Sequence, residues 1–238
     1  MSAPTDASPP AAEAAQALRG LAFVLAVPLI AANGALDAYT FLAHDRVFAN
    51  AQTGNVVLFA MGLIRPDIAA PLPHLWPVLA FIAGAALART LHNPADVAHP
   101  PRPRRWVLIA EVVVLGFIAA APSALPLSVI VSLISFFSAL QLSLFRTVES
   151  LTFVPIAMTG NLMRATEAIQ AAASGAQRER RTAVGQLILI AVFVGGVALG
   201  TVATTHLGGR AAAVPAALFS LDLIWIFARG NPPLHTKF

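Results

Sequence analysis

The chain alternates long apolar stretches with short polar ones. Six apolar runs, at 21–42, 75–92, 106–121, 125–145, 182–205 and 211–228, are long enough or nearly so to cross about 30 Å of hydrocarbon. Each is expected to be a helix, because only helices and closed barrels satisfy their backbone polar groups in lipid. Two further runs read differently. Residues 51–64 (AQTGNVVLFAMGLI) are too few to cross. Residues 156–172 (IAMTGNLMRATEAIQAA) carry Arg164 and Glu167. Apolar runs of about 10–14 residues are commonly re-entrant or interfacial. Both segments are therefore expected to dip into the bilayer as half-helices.

The two short segments share a tripeptide, Thr53-Gly54-Asn55 and Thr159-Gly160-Asn161. Their flanks match in the same order. Upstream, Gly34-Ala35-Leu36-Asp37 parallels Ser138-Ala139-Leu140-Gln141. Downstream, FIAGAALA (81–88) parallels FVGGVALG (193–200). Three matches in register predict an internal duplication: a first membrane repeat at 19–121 and a second at 122–230. Residues 1–18 read as a disordered tail, being small, Pro-rich and acidic, and 231–238 as a C-terminal tail. Each repeat would comprise a span, a TGN segment and two further spans.

Basic residues set the orientation. Arg164 lies inside the second TGN segment and is left out of the count; if the TGN segments cross, the other Arg and Lys divide evenly between the two sides. If they are re-entrant, Arg19, Arg89, Arg102, Arg104, Arg105, Arg146, Arg178, Arg180, Arg181, Arg229 and Lys237 share one side. Only Arg46, Arg65 and Arg210 oppose them. Positive residues concentrate on the cytoplasmic side. The expectation is six spans with both termini cytoplasmic. An odd number of spans per repeat turns the halves upside down relative to each other, the inverted 3+3 plan of many transporters. Trp76, Trp106, Trp225 and Tyr39 fall near span ends, the level amphipathic rings favour.

Composition agrees. Of 238 residues, 58% are hydrophobic and 11% charged, against about 25% charged in a soluble domain. Mean hydropathy is +0.76. These values exclude an ordinary soluble enzyme and point to an all-α polytopic protein whose first partner is the lipid bilayer. The net charge of +4 is spread as topology signals, so no nucleic-acid partner is expected. Cysteine is absent, which excludes thiolate nucleophiles, disulfides and cysteine-ligated metals. Fourteen arginines against the single Lys237, with much alanine, suggest a GC-rich bacterial coding bias.

With the duplicated segments in view, the chain resembles the YoaK-like family of bacterial membrane proteins. The resemblance rests on G-A-L-D-A (34–38), V-F-A-N-A-Q-T-G-N (47–55), A-L-Q (139–141) and M-T-G-N-L (158–162), and covers most of 20–228. The family pattern has Met before TGN, where the first copy here has Gln52. The resemblance implies a six- or seven-span inner-membrane protein and supplies no substrate.

Candidate chemistry centres on the TGN segments. Thr is a good helix N-cap, and Gly and Asn leave the adjoining backbone open. A half-helix starting inside the bilayer presents unpaired N–H groups and a partial positive charge. Two such ends meeting at midplane would suit a small polar or anionic solute. Capping alone is the plainer alternative. Charged residues within spans usually face a partner or a cavity. Asp37 is the most telling, because its counterpart is Gln141. It reads either as a proton-coupling acid or as an acceptor for a TGN backbone or Asn33. Glu111 is expected to pair with Arg104 or Arg105, and Arg164 with Glu167. No histidine pair, nucleotide fingerprint or catalytic triad stands out, so neither metal nor cofactor is expected.

The candidate solute site is therefore Thr53, Gly54, Asn55, Thr159, Gly160 and Asn161, flanked by Asp37 and Gln141. The leading expectation is a small-solute transporter or channel. A membrane scaffold or sensor without flux is one rival. An intramembrane enzyme using Asp37 with Glu111 or Asp222 is the other, though with few catalytic tools, and no enzymatic role is expected. Gly84-x-x-x-Ala88 and Gly196-x-x-x-Gly200 are small-residue faces for internal packing or for a homo-oligomer seam.

Overall fold

A computed structural model describes residues 9–64, 69, 71–91, 103–145, 158–173, 175 and 177–229. Among these the chain is all-helical, with no strand. The helices are α1 (Pro9–Ala43), α2 (Gln52–Gly62), α3 (Leu72–Leu91), α4 (Pro103–Ala120), α5 (Leu127–Leu144), α6 (Met158–Ala173), α7 (Gln177–Leu207) and α8 (Ala213–Arg229). A short 3-10 turn, Gly208–Ala212, joins α7 to α8. The six long apolar runs coincide with α1, α3, α4, α5, α7 and α8, and the two TGN segments with α2 and α6.

Four stretches are long and apolar enough to cross a membrane: Val24–Ala43, Leu72–Leu91, Leu127–Leu144 and Arg180–Ala228, the last running through α7 and α8. Helix α4 carries Arg104, Arg105 and Glu111 and stands outside these four. At 1.5 Å per residue α2, with 11 residues, is about 17 Å long, short of the hydrocarbon thickness.

One expectation fails at the N-terminus. Residues 9–18, assigned above to a disordered tail, are the first turns of α1. Pro at the helix start is pre-set for helical φ, and the following Ala, Glu and Gln are strong helix formers. Residues 1–8 and 231–238 lie outside the described residues.

Helix α1 packs on α7, and α3 packs on α5. Helix α2 lies on α3 and α6 on α7, while α4 and α8 pack together. Missing side chains allow the first two contacts. A Cβ on Gly196 would collide with the backbone of Ala31, and one on Gly84 with the carbonyl of Phe136. A Cβ on Gly200 would lie 2.6 Å from Cα of Ala35. The small-residue faces are thus spent on internal packing. The larger apolar core contains Leu29, Leu36, Leu108, Leu115, Ile130, Ile134 and Phe219, and a smaller one joins Ala26 and Ile30 of α1 to Leu189 of α7. Tyr39 of α1 donates its hydroxyl to the Gly209 carbonyl at 3.1 Å and so ties the 3-10 turn to the core.

Gly196→Ala is expected to destabilise the protein by about 1–3 kcal/mol, the usual cost of overpacking, and to lower the melting temperature in detergent. Gly195→Ala is the control: a Cβ there meets nothing within 4 Å, so melting should hold or rise. Equal melting of the two variants would show that the α1–α7 crossing tolerates separation.

Candidate solute site

The segment between α1 and α2 turns sharply, with Asp45 and Arg46 at φ 50° and 59°. It then runs back along α1, and Ala49 and Asn50 find hydrogen-bond partners there and on α5. The Ala49 N–H donates to Thr40 Oγ1 at 3.0 Å. The Asn50 N–H donates to Asp37 Oδ1 at 3.0 Å, and Asn50 Nδ2 to the Asn33 carbonyl at 3.0 Å. From α5, Ser138 Oγ donates to Asn50 Oδ1, and Ser135 Oγ to the Ala49 carbonyl at 2.8 Å. Asp37 therefore meets the segment just before the TGN motif, rather than the motif itself or Asn33.

The N-cap of α2 is Ala51, with no side-chain cap. Thr53 lies one turn position inside the helix, so the expected threonine cap is not formed there. The reason is local: the Gly54 and Asn55 N–H groups both reach the Ala51 carbonyl, at 2.9 and 3.4 Å. The Thr53 side chain is left exposed. Asn55 is fully buried and turned away. Its Oδ1 accepts from the Phe48 N–H at 3.0 Å, and its Nδ2 donates to the Phe48 carbonyl at 2.8 Å and to Gln52 Oε1 at 3.0 Å. It clamps the segment to α2. Gly54 makes room for the Phe48 ring, whose nearest carbon would lie 2.9 Å from a Cβ. In α6, which starts at Met158, Asn161 is likewise buried and accepts from Arg164 Nη2 at 3.3 Å. Arg164 so turns back on Asn161 and over Gly160, and the expected pair with Glu167 does not form.

Asp37, Thr53 and Thr159 line one cavity of about 690 Å³. Gln52 and Met158, Phe81 and Phe193, and Ala38 and Leu142 line it too. Each of these pairs holds matched places in the two stretches aligned above. Phe41, Phe48, Asn50 and Thr201 complete much of the wall. Asn55, Asn161, Gly54, Gly160 and Gln141 lie outside that lining. Asn50, Gln52, Phe81, Phe193 and Thr201 were not singled out from sequence. The signal for the phenylalanines was present: F-x-x-G occurs at 81–84 and 193–196, and the same helix turn that buries the glycine turns the ring to the cavity.

Gln141 faces a second polar group. Asn33 Nδ2 donates to Gln141 Oε1 at 3.0 Å, and Gln141 Nε2 donates to Glu111 Oε2. Glu111 therefore pairs with an amide on α5 and not with an arginine. Arg104 instead donates Nε to the Leu144 carbonyl at 2.7 Å and stacks over Phe145. Asp222 of α8 is buried within electrostatic reach of Glu111, and both its oxygens are unpartnered. Neither acid lines the cavity. Beyond the end of α1, His44 packs edge-on against Tyr39. Burial pushes its imidazole down to about 4, against a smaller opposing pull from Asp45, so the ring is neutral at pH 7.

The family model described as a protein of unknown function, DUF1275, matches residues 25–225. The chain belongs to that family, and its own long apolar helices mark it as a membrane protein. Neither a curated protein nor a solved structure matches it.

Asn55→Ala would leave both backbone groups of Phe48 without their partner. Unsatisfied buried groups cost about 1–3 kcal/mol. The variant is expected to melt lower in detergent, and Asn55→Asp, which keeps the acceptor for the Phe48 N–H, should lose less. Unchanged melting in the alanine variant would mean that the clamp is dispensable.

Proposed function

We propose that the chain is a small-solute transporter or channel of the bacterial inner membrane, a YoaK-like protein. It has six spans, two re-entrant TGN helices, an inverted 3+3 repeat and both termini in the cytoplasm. The observation that carries this reading is the cavity, where Thr53 and Thr159 meet with matched residues on either side. The paired packing of α1 on α7 and α3 on α5 supports the repeat, since exchanging the two halves converts one contact into the other. Broken helices whose starts face a common cavity are the way many transporters build a substrate site. The bound solute would touch the two threonine hydroxyls and Asp37, while Asn55, Asn161, Gly54 and Gly160 shape the helix starts and Gln141 holds the neighbouring core. No nucleotide motif is present, so the driving force would be a gradient. No catalytic role, cofactor or metal enters this reading.

Topology is testable directly, because the chain has no cysteine to remove. In intact cells Ala69→Cys should label from outside and Pro100→Cys should not. Ser150→Cys and Ala176→Cys, on either side of α6, should label from the same face. Labelling from opposite faces would make α6 a span and end the inverted-repeat reading.

Flux is tested with purified protein in liposomes, by uptake of a labelled panel of small metabolites. Thr53→Val and Thr159→Val keep shape and remove one hydroxyl each. Each should weaken transport of an accepted solute about 5- to 10-fold, the effect of losing a hydrogen bond of roughly 1 kcal/mol. A panel with no uptake by wild type would favour a scaffold or sensor. Uptake that neither variant alters would move the site away from the threonines.

A further inference from the structure

We propose that the solute accepted by this cavity is an organic ammonium ion, a small cation with an apolar body. The inference rests on the cavity being the solute site. Four observations carry it.

The first is charge. Among the described residues of the lining Asp37 is the only ionisable side chain, with no Arg, Lys or His beside it there. Asn50 orients one carboxylate oxygen through its N–H at 3.0 Å. No basic side chain among the described residues pairs with Asp37. A carboxylate at membrane depth is expensive unless it meets a partner or a cavity, and here it meets a cavity.

The second is the wall. Phe41, Phe48, Phe81 and Phe193 come from α1, the segment after it, α3 and α7. The Phe41 and Phe48 rings are stacked obliquely, with centroids 4.9 Å apart. Phenyl faces attract cations and also bury hydrocarbon, so one ligand with a charged head and an apolar body uses both properties.

The third is size. About 690 Å³ is within the usual range for small-molecule sites and far exceeds what a bare metal ion or a proton needs.

The fourth is the state of the helix starts. The partial positive charge there would favour an anion if its N–H groups were free. At α2 three of them are occupied: the Gln52 N–H donates to the Asn50 carbonyl at 3.0 Å, and the Gly54 and Asn55 N–H groups to Ala51. At α6, the Arg164 guanidinium is turned onto Asn161 and stands outside the lining. His44, near the end of α1, is neutral at pH 7. An anion would thus meet Asp37 with little to offset it. The small anionic solute expected from the TGN motif alone is the poorer fit to this wall.

The test uses three probes of one size and different charge: n-butylammonium, n-butanol and butyrate. Binding to the purified full chain is read by thermal shift and calorimetry at pH 7. Butylammonium should stabilise the protein, while butanol and butyrate at equal concentration should not. Asp37→Asn keeps an acceptor for the Asn50 N–H and removes the charge, and should weaken butylammonium tenfold or more. Phe81→Leu and Phe193→Leu keep apolar bulk and remove a ring face, and should each weaken it several-fold. These two variants leave the Asp37 contacts intact, so they decide the matter even where Asp37→Asn fails to fold. Failure of all three probes, or butanol or butyrate binding as well as butylammonium, overturns the ammonium assignment. If butyrate or butanol binds and Thr53→Val weakens it, the cavity remains the solute site and only the ligand class falls. If butylammonium binds equally well to all the variants, the ligand sits elsewhere and both readings fall.

Discussion

Two backbone-to-backbone helix crossings govern the structure. Where Gly196 meets Ala31 and Gly84 meets Phe136, no side chain separates the helices. Lipid offers no hydrophobic drive for helix association, so close contact and van der Waals packing must supply it. Every larger residue at those points would part the helices. The crossings also fix what lies a turn away. Phe81 and Phe193 precede the two glycines by three positions, and a residue three places along a helix shares its face. The cavity wall is therefore a by-product of the contact that holds the bundle together.

The second constraint is that polar groups inside an apolar bundle must be satisfied by one another. The segment after α1 is irregular backbone among membrane helices, which is tolerated only where protein or a cavity accepts its hydrogen bonds. Thr40 and Asn33 accept from it, and Ser135 and Ser138 donate to its oxygens. Asn50 belongs to both systems: its side chain is bound into the core and its N–H aims the Asp37 carboxylate. A residue with no obvious chemistry thereby sets the position of the one ionisable side chain among the described residues of the lining.

The order of the helices was legible because long apolar runs are a strong sequence signal. All eight helices lie within a few residues of their apolar runs, except that α1 begins at Pro9. That extension was missed because proline and alanine were weighed as tail composition rather than as a helix start. The tripeptide located the helix starts correctly and misled about roles. Its threonines face the cavity, but Ala51 is the cap of α2, and both asparagines are buried, Asn55 as a clamp on Phe48. A motif fixes neither the rotation of a helix nor which side chain faces inward. Those depend on partners far along the chain, such as Ser138 for Asn50 and Glu111 for Gln141. Pairings over such separations leave no local pattern to read. The matched F-x-x-G was visible, yet its glycine drew attention to packing and away from the ring beside it.

The hydrogen bonds across the gap between α1 and α5 have a consequence for equilibria. Ser135 to Ala49, Ser138 to Asn50 and Asn33 to Gln141 join the first stretch of the chain to the second, beside the cavity. Drawing the two apart would break all three at once. At roughly 1 kcal/mol net per bond this costs about 3 kcal/mol. A state so separated would hold less than about one molecule in a hundred at rest. The serines thus act as a ballast on the conformational balance: neither lines the cavity itself, yet each one removed would raise the separated population several-fold.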